Sequence, residues 1–285
     1  MVRQRKNAGM SLPDSLVEPL VRAALMEDLA GGGDVTGQLL PHTQMSTRLT
    51  ARKAGVIAGL QPARIACALV DPHLTFHSRV ADGAKVAAGE VVATLSGSAA
   101  SVLTAERTAL NFLTHLSGVA TLTAQYVDAV AGTNAKIAGT RKTLPGLRAL
   151  QKEALVSGGA WPHRFGLSDA ILIKDNHIAA AGSVSAALAR AREIAGHMRV
   201  IEIEVDRLAQ LDEALPFAPH AILLDNFALA DLAEAVRRAK GKTILEASGG
   251  VTLATVRAIA ETGVDVISVG ALTHSAPALD LGLDA

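Results

Sequence analysis

Between residues 136 and 269 the chain repeats one unit: a short apolar run, a helical stretch, then another apolar run. The runs are Lys136-Ile137-Ala138, Ile171-Leu172-Ile173, Val200-Ile201-Glu202-Ile203, Ala221-Ile222-Leu223-Leu224, Thr243-Ile244-Leu245 and Val266-Ile267-Ser268-Val269. Helical patterns fill 145–157, 183–195, 207–215, 228–240 and 252–262. A strand that is apolar almost throughout is covered on both faces, and alternation with helices supplies the cover, so the pattern predicts a parallel sheet flanked by helices. About six such units make a closed or nearly closed β/α barrel the first choice of fold, with a doubly wound open sheet as the alternative. An eightfold barrel needs more strands than this.

The first part of the chain has another rhythm. Pro13 to Leu29 predicts a helix with Leu16, Leu20, Ala24 and Leu25 on one side, ended by Gly31-Gly32-Gly33-Asp34. From Ser46 to Leu95, β-type runs such as Leu74-Thr75-Phe76 and Val91-Val92-Ala93-Thr94-Leu95 alternate with turns at Asp82-Gly83 and Gly89. Ala63 to Val70 predicts a short helix. A long one follows from Ser101 to Val130, with an interruption expected near Ser117-Gly118. Met1 to Met10 is basic and polar and predicts a disordered tail rather than a signal peptide.

Composition removes several classes of function. Lysine plus arginine equals aspartate plus glutamate at 27 each, without the basic excess of a nucleic-acid binder. Aromatics are 2%, too few for a base-stacking platform. No apolar run approaches the roughly 18 residues of a membrane span. Cys67 is the single cysteine, so no intrachain disulfide can form, which suits a reducing cytoplasm. Its apolar neighbours predict that it is buried. Small molecules are the partners these facts leave.

Each apolar run of the second part ends in a charged residue or a glycine. Ile173 leads to Lys174, Ile203 to Glu204, Leu224 to Asp225, Leu245 to Glu246-Ala247-Ser248-Gly249-Gly250, and Val269 to Gly270. In a parallel barrel these ends share one mouth, so residues distant in sequence converge there. Glycines let a backbone approach an anion closely, and Ser248-Gly249-Gly250 beside Gly270 predicts a phosphate cradle. Two carboxylates, Glu204 and Asp225, can hold Mg²⁺ beside a pyrophosphate, with Glu202 a weaker candidate. Arg107, Arg141-Lys142, His163-Arg164 and Lys174 form a basic set, and the planar guanidinium fork suits carboxylate and phosphate. Together they imply a ligand with several negative charges. His42, His73, His77, His115, His197 and His220 lack metal-ligand spacing, and no Gly-x-Ser-x-Gly elbow is present.

Several long motifs resemble one family. They are Thr104-Ala105-Glu106-Arg107-Thr108-Ala109-Leu110-Asn111-Phe112-Leu113, Thr140-Arg141-Lys142-Thr143-Leu144-Pro145-Gly146, Leu172-Ile173-Lys174-Asp175-Asn176-His177, Glu202-Ile203-Glu204-Val205, Leu224-Asp225-Asn226, Glu246-Ala247-Ser248-Gly249-Gly250 and Ser268-Val269-Gly270-Ala271-Leu272-Thr273-His274-Ser275. This array is similar to quinolinate phosphoribosyltransferase from about Glu27 to the C-terminus. The resemblance implies an α/β fold of the type II phosphoribosyltransferases: an N-terminal α/β sandwich over 1–117, joined by 276–285, and a β/α barrel of about six units over 118–275. It implies a homodimer or larger homo-oligomer, with quinolinate and phosphoribosyl pyrophosphate as substrates and Mg²⁺ as cofactor. Arg107 would reach a neighbour's site. Arg141, His163, Arg164 and Lys174 would hold the acid, with Lys142 at the reacting centre. Glu204 and Asp225 would face ribose and metal, and Ser248, Gly249, Gly250, Gly270 and His274 the 5′-phosphate.

Three places depart from the family pattern. Gly139 stands where the family usually has Asp, Gly158-Gly159-Ala160-Trp161-Pro162-His163-Arg164 replaces a Gly-Gly-Gly-x-Asn-His-Arg run, and Lys152-Glu153-Ala154 replaces Lys-Tyr-Ala. Pro162 fixes φ and removes a backbone donor beside two proposed ligands, and Trp161 either walls the pocket or packs below it. An acceptor acid other than quinolinate, and a sugar-phosphate-binding protein without turnover, are the alternatives to the family reaction.

Overall fold

The computed structural model describes residues 12–284. The expected N-terminal tail lies outside them. The chain divides into two compact units, one holding residues up to Ala124, Thr143–Gly159 and Leu272 onward, the other Gln125–Lys142 and Ala160–Ala271.

The elements of the first unit begin with α1 (Asp14–Leu29), β1 (Gln44–Ala51), β2 (Gly55–Val56), α2 (Leu60–Val70), β3 (Thr75–Ser78), β4 (Lys85–Val86), β5 (Val91–Ser98) and the long α3 (Ala99–Ala129). Next come β6 (Lys136–Ala138), α4 (Arg148–Ser157), β7 (Ala170–Ile173), α5 (Asp175–Ala181), α6 (Val184–Ala195), β8 (Val200–Val205), α7 (Leu208–Ala214), β9 (Ala221–Asp225), α8 (Leu229–Ala239), β10 (Ile244–Ser248), α9 (Val256–Glu261), β11 (Val266–Ser268), α10 (Ala271–His274) and β12 (Leu281–Asp284).

In the first unit an antiparallel sheet of order β12-β1-β5-β3 carries an apolar face. Leu49 and Ala51 of β1, with Val92, Ala93 and Leu95 of β5, pack there with Leu60 and Cys67 of α2 and Val102, Ala105, Leu110 and Leu113 of α3. Burial pushes the Cys67 thiol up to about 11, as for a small apolar core group. The apolar stripe of α1 is Val17, Val21 and Leu25, whereas Leu16 stands exposed. Apolar residues occupy both sides of this helix, so the 3.6-residue period alone selects the wrong one.

No interruption occurs in α3. Ser117 is fully buried, and its hydroxyl bridges the backbone of Ala58, accepting from the N–H at 3.0 Å and donating to the carbonyl at 3.1 Å. Gly118 leaves room for the returning C-terminal segment, whose Leu279 N–H donates to the Thr114 carbonyl at 3.0 Å. That segment then adds β12 to the edge of β1, from Arg48 opposite Asp284 to Ala51 opposite Leu281.

The second unit is a parallel sheet of order β6-β11-β10-β9-β8-β7, an incomplete β/α barrel of six strands. Its opening lies between β6 and β7, the two strands at the ends of that order. Trp161 pairs with Ala138 along the β6 edge, its N–H donating to Ile137 and its carbonyl accepting from Gly139. The walls are Ile137, Ile203, Val205, Ile222, Leu224, Leu245 and Ile267, all buried.

A methyl group at Gly118 would lie 2.1 Å from the Pro277 carbonyl oxygen and 3.0 Å from Ala278 Cα. Backbone cannot give way as a side-chain tip can. Gly118→Ala should therefore cost about 1–3 kcal/mol and lower the melting temperature by several degrees. An unchanged melt would show that the C-terminal segment does not hold this seat.

Candidate active site

Six parallel strands deliver their C-terminal ends to one mouth, and the polar residues of the second unit collect there. Lys174 follows β7, Glu204 lies near the end of β8, and Asp225 ends β9. Ser248 ends β10 in register with Asp225, and Gly270 stands two residues beyond β11. The Gly139-to-Lys142 loop follows β6. The Lys174 ammonium donates to a Glu204 carboxylate oxygen at 3.1 Å. A hollow of about 340 Å³ opens beside this pair, lined by Asp175, Glu204, Asp206, Arg207, Gln210 and Asp225 among others.

The β9 and β10 loops are interlocked. Asn226, at φ +56°, donates its N–H to the Ser248 carbonyl at 2.9 Å and its side-chain amide to Asp225 at 2.8 Å. Gly249, at φ +96°, lies against Asn226 so closely that a Cβ would meet the Asn226 side-chain oxygen at 2.1 Å. Glycine is therefore required here both by conformation and by room.

The loops after β6 and before β7 hold like charges together. Arg141 Nε is buried with no hydrogen-bond partner among the described residues. Burial and the charge of Arg141 depress the pKa of Arg164 below the usual arginine value, against the pull of Glu202 and Asp169. Arg164 Nη1 donates to the Ala170 carbonyl at 3.2 Å. Two guanidiniums kept close at a cost form a seat for a ligand with more than one negative charge.

Behind them His163, at φ +57°, faces two buried acids, with Nε2 at 3.4 Å from Glu246 and 3.5 Å from Glu202. Burial opposes a charged ring, but the hydrogen bonds and charges of the two carboxylates outweigh it and push His163 up to about 9. The backbone N–H of Arg164 works the other way, because it donates to Nδ1 at 2.8 Å and so requires that nitrogen to be bare. These influences differ over Nδ1 and agree that Nε2 keeps its proton. The donor atoms of His163, Glu202 and Glu246 lie within 4.8 Å of one another, and in this arrangement the ring and the two acids serve as each other's partners. The pKa of Glu202 is raised, first by burial, and its Oε1 has no hydrogen-bond partner among the described residues.

Arg141, Lys142, His163, Arg164, Lys174, Glu204, Asp225, Ser248, Gly249, Gly250 and Gly270 all belong to the second unit. Arg107, exposed on α3, and His274, bonded to Ser275 at 2.6 Å, belong to the other. So does Lys152-Glu153-Ala154, on α4. Sequence reasoning passed over Glu246 and Ser268, and the available signal was an acid inside an otherwise apolar strand. The first unit has a larger hollow of about 640 Å³, lined by Glu27, Asp28, His115 and apolar neighbours but no lysine or arginine, which does not suit a polyanion.

Family models describe the chain in two parts: the quinolinate phosphoribosyl transferase N-terminal domain matches residues 34–117, and the C-terminal domain of the same name matches 119–284. The chain is 47% identical to a nicotinate-nucleotide pyrophosphorylase [carboxylating] of Mycobacterium leprae over 272 residues, covering 93% of this chain and 95% of that one. It is 42% identical to a probable enzyme of the same name from Synechocystis, covering 95% and 93%. The solved structure of the nicotinate-nucleotide pyrophosphorylase from Francisella tularensis superposes with a TM-score of 0.93 at 39% identity, covering 96% of this chain and 97% of that one.

The Gly249–Asn226 contact gives a direct test of the anion seat. Gly249→Ala forces strain of about 1–3 kcal/mol into this loop, so calorimetry should show inorganic phosphate affinity falling by on the order of tenfold. Unchanged affinity would remove the β10 loop from anion binding.

Proposed function

The chain belongs to the quinolinate phosphoribosyltransferase family, and on that premise we infer that it transfers phosphoribose from phosphoribosyl pyrophosphate to quinolinate with decarboxylation. It is a pentosyltransferase of NAD biosynthesis, a nicotinate-nucleotide pyrophosphorylase (carboxylating), and its products are nicotinate mononucleotide, carbon dioxide and pyrophosphate. The observation that carries the site assignment is the pairing of Arg141 and Arg164. Arg141 has an unpartnered buried donor, and the charge of each guanidinium opposes that of the other until an anion with two carboxylates arrives.

The chemistry follows from this placement. Arg141, Arg164 and Lys174 orient the two ring carboxylates so that the pyridine nitrogen faces the anomeric carbon of the ribose. That nitrogen attacks as the bond to pyrophosphate breaks. The Ser248-Gly249-Gly250 and Gly270 loops hold the 5′-phosphate. Glu204 and Asp225 offer negative charge to the cationic ribose that develops. The pyridinium nitrogen then stabilises the electron pair left on the adjacent carbon when carbon dioxide departs, and a proton fills that position. Lys142 stands at the reacting centre, where an ammonium offsets negative charge. Positioning and electrostatics account for the acceleration without a covalent enzyme intermediate.

Mg²⁺ is the proposed cofactor. Glu204 and Asp225 present carboxylate oxygens to one hollow, the donor type that a hard divalent cation takes. Bound there, Mg²⁺ would neutralise charge on the pyrophosphate leaving group. A homodimer or larger homo-oligomer in which Arg107 serves a neighbouring copy's site is supported by its exposure on α3. The single buried thiol suits a reducing cytoplasm. Among the described residues no helix is long and apolar enough to cross a membrane.

Incubation with quinolinate, phosphoribosyl pyrophosphate and Mg²⁺ should yield nicotinate mononucleotide and carbon dioxide in equal amounts. A panel of other pyridine carboxylates tests the acceptor, since Gly139, Trp161 and Pro162 lie beside the acid seat. Preferred turnover of another acid would displace quinolinate.

Arg141→Ala should raise KM for quinolinate by about ten- to a hundredfold, the loss of charged hydrogen bonds, and leave KM for phosphoribosyl pyrophosphate within about threefold. Equal losses would count against its role. Mixing inactive Arg107→Ala with inactive Lys142→Ala protein should restore part of the activity. No recovery despite demonstrated subunit exchange would sink the shared site.

A further inference from the structure

His163 has no ring nitrogen left for a substrate. Nδ1 accepts the Arg164 backbone N–H at 2.8 Å, and Nε2 lies 3.4 Å from a Glu246 carboxylate oxygen and 3.5 Å from one of Glu202. Glu246 is itself held from behind, because the buried Ser268 hydroxyl donates to the same Oε1 that faces the ring. Ser268 belongs to β11 and Glu246 to β10, adjacent strands paired in parallel. A continuous line therefore runs from β11 through β10 and the imidazole to the backbone of Arg164.

That line ends where the chain is strained. His163 has φ +57°, a left-handed conformation that costs a non-glycine residue energy and persists only where surroundings impose it. The residue before it is Pro162, whose ring fixes its own φ. Arg164 follows at once, and its guanidinium is anchored at Ala170 and repelled by Arg141. Left alone, a strained turn carrying a repelled cation would relax and carry the guanidinium away from Arg141. The only buried anions touching this turn are Glu246 and Glu202 among the described residues.

We propose that Glu246, acting through His163, is a positioning residue that fixes the Arg164 turn for the acceptor acid, and that His163 does not itself contact the acid. The proposal rests on the assignment of Arg164 to the acid site. It separates two roles that a histidine beside two arginines can play. A ligand would share its Nε2 proton with the substrate carboxylate. A strut spends that proton on Glu246 and acts only through the place it gives Arg164.

The two roles predict different energetics. Ser268→Ala and Glu246→Gln should each raise KM for the acid by about tenfold, with KM for phosphoribosyl pyrophosphate and the melting temperature nearly unchanged. The decisive measurement is a double-mutant cycle of Glu246→Gln with Arg164→Lys, scored as kcat/KM for the acid. In the strut, losing Glu246 costs almost nothing once Arg164 is replaced, so the double variant matches Arg164→Lys alone. Additive losses would overturn the proposal, as would equal rises in both KM values. Ser268→Ala keeps the test available should Glu246→Gln fail to fold. The cycle is scored on whichever acid the wild type turns over, so an error in the acceptor and an error in the strut give different results.

Discussion

Parallel pairing obliges every strand of the six-stranded sheet to finish on the same side. Because the crossover helices cover the outer face, the strands read as apolar almost to their ends, and polarity begins where the cover stops. The mouth is therefore where residues at the ends of these strands can be lysine, arginine, aspartate or glutamate without a large burial cost. Everything proposed about chemistry depends on that directionality. If one of these strands ran antiparallel, it would send its terminal residue to the other rim.

Charge is sorted within the mouth rather than neutralised. Glu204, Asp225, Asp175 and Asp206 line one hollow, while Arg141 and Arg164 stand together with their repulsion only partly offset by Glu202 and Asp169. Lys174 joins the two sides through its contact with Glu204. Beneath the arginines, Glu202 and Glu246 are buried in the barrel wall and reach the cations through His163 and through space. A ligand carrying negative charge at one end and a sugar pyrophosphate at the other fits this sorting. An uncharged ligand would leave the guanidinium repulsion in place.

Much of this was legible in the sequence, and for one reason. The strand runs at 136, 171, 200, 221, 243 and 266 are apolar and short, and each is followed by a charged residue or a glycine, so spacing and termini could be read together. The buried stripe of α1 was misjudged because Leu16 and Leu20 compete with Val17 and Val21 for the core. The continuity of α3 through Ser117-Gly118 was missed because it depends on Ala58 and Pro277, residues far away in the chain. Leu281–Asp284 has no β-branched residue, and only its pairing with β1 makes it a strand. Glu246 reads in the sequence only as the charged end of the run closed by Leu245, and Ser268 as one polar residue within an apolar run, so neither received a role. Their meaning appears only when β10 and β11 lie side by side.

The departures from the family pattern near the acid seat can be weighed on the same grounds. Trp161 and Gly139 hold each other through the backbone, Trp161 donating to Ile137 and accepting from Gly139. Such bonds do not depend on either side chain, so tryptophan at 161 leaves the β6 edge intact while its indole stands half exposed. Pro162 lacks a donor, and His163, Arg164, Phe165 and Gly166 all make contacts that tie down this turn. What the turn must supply is a left-handed His163 and a fixed Arg164, held by Glu202 on β8, by Glu246 on β10 with Ser268 of β11 behind it, and by the Ala170 carbonyl of β7. Residues 161 and 162 can therefore vary in side chain while the cation they precede keeps its place.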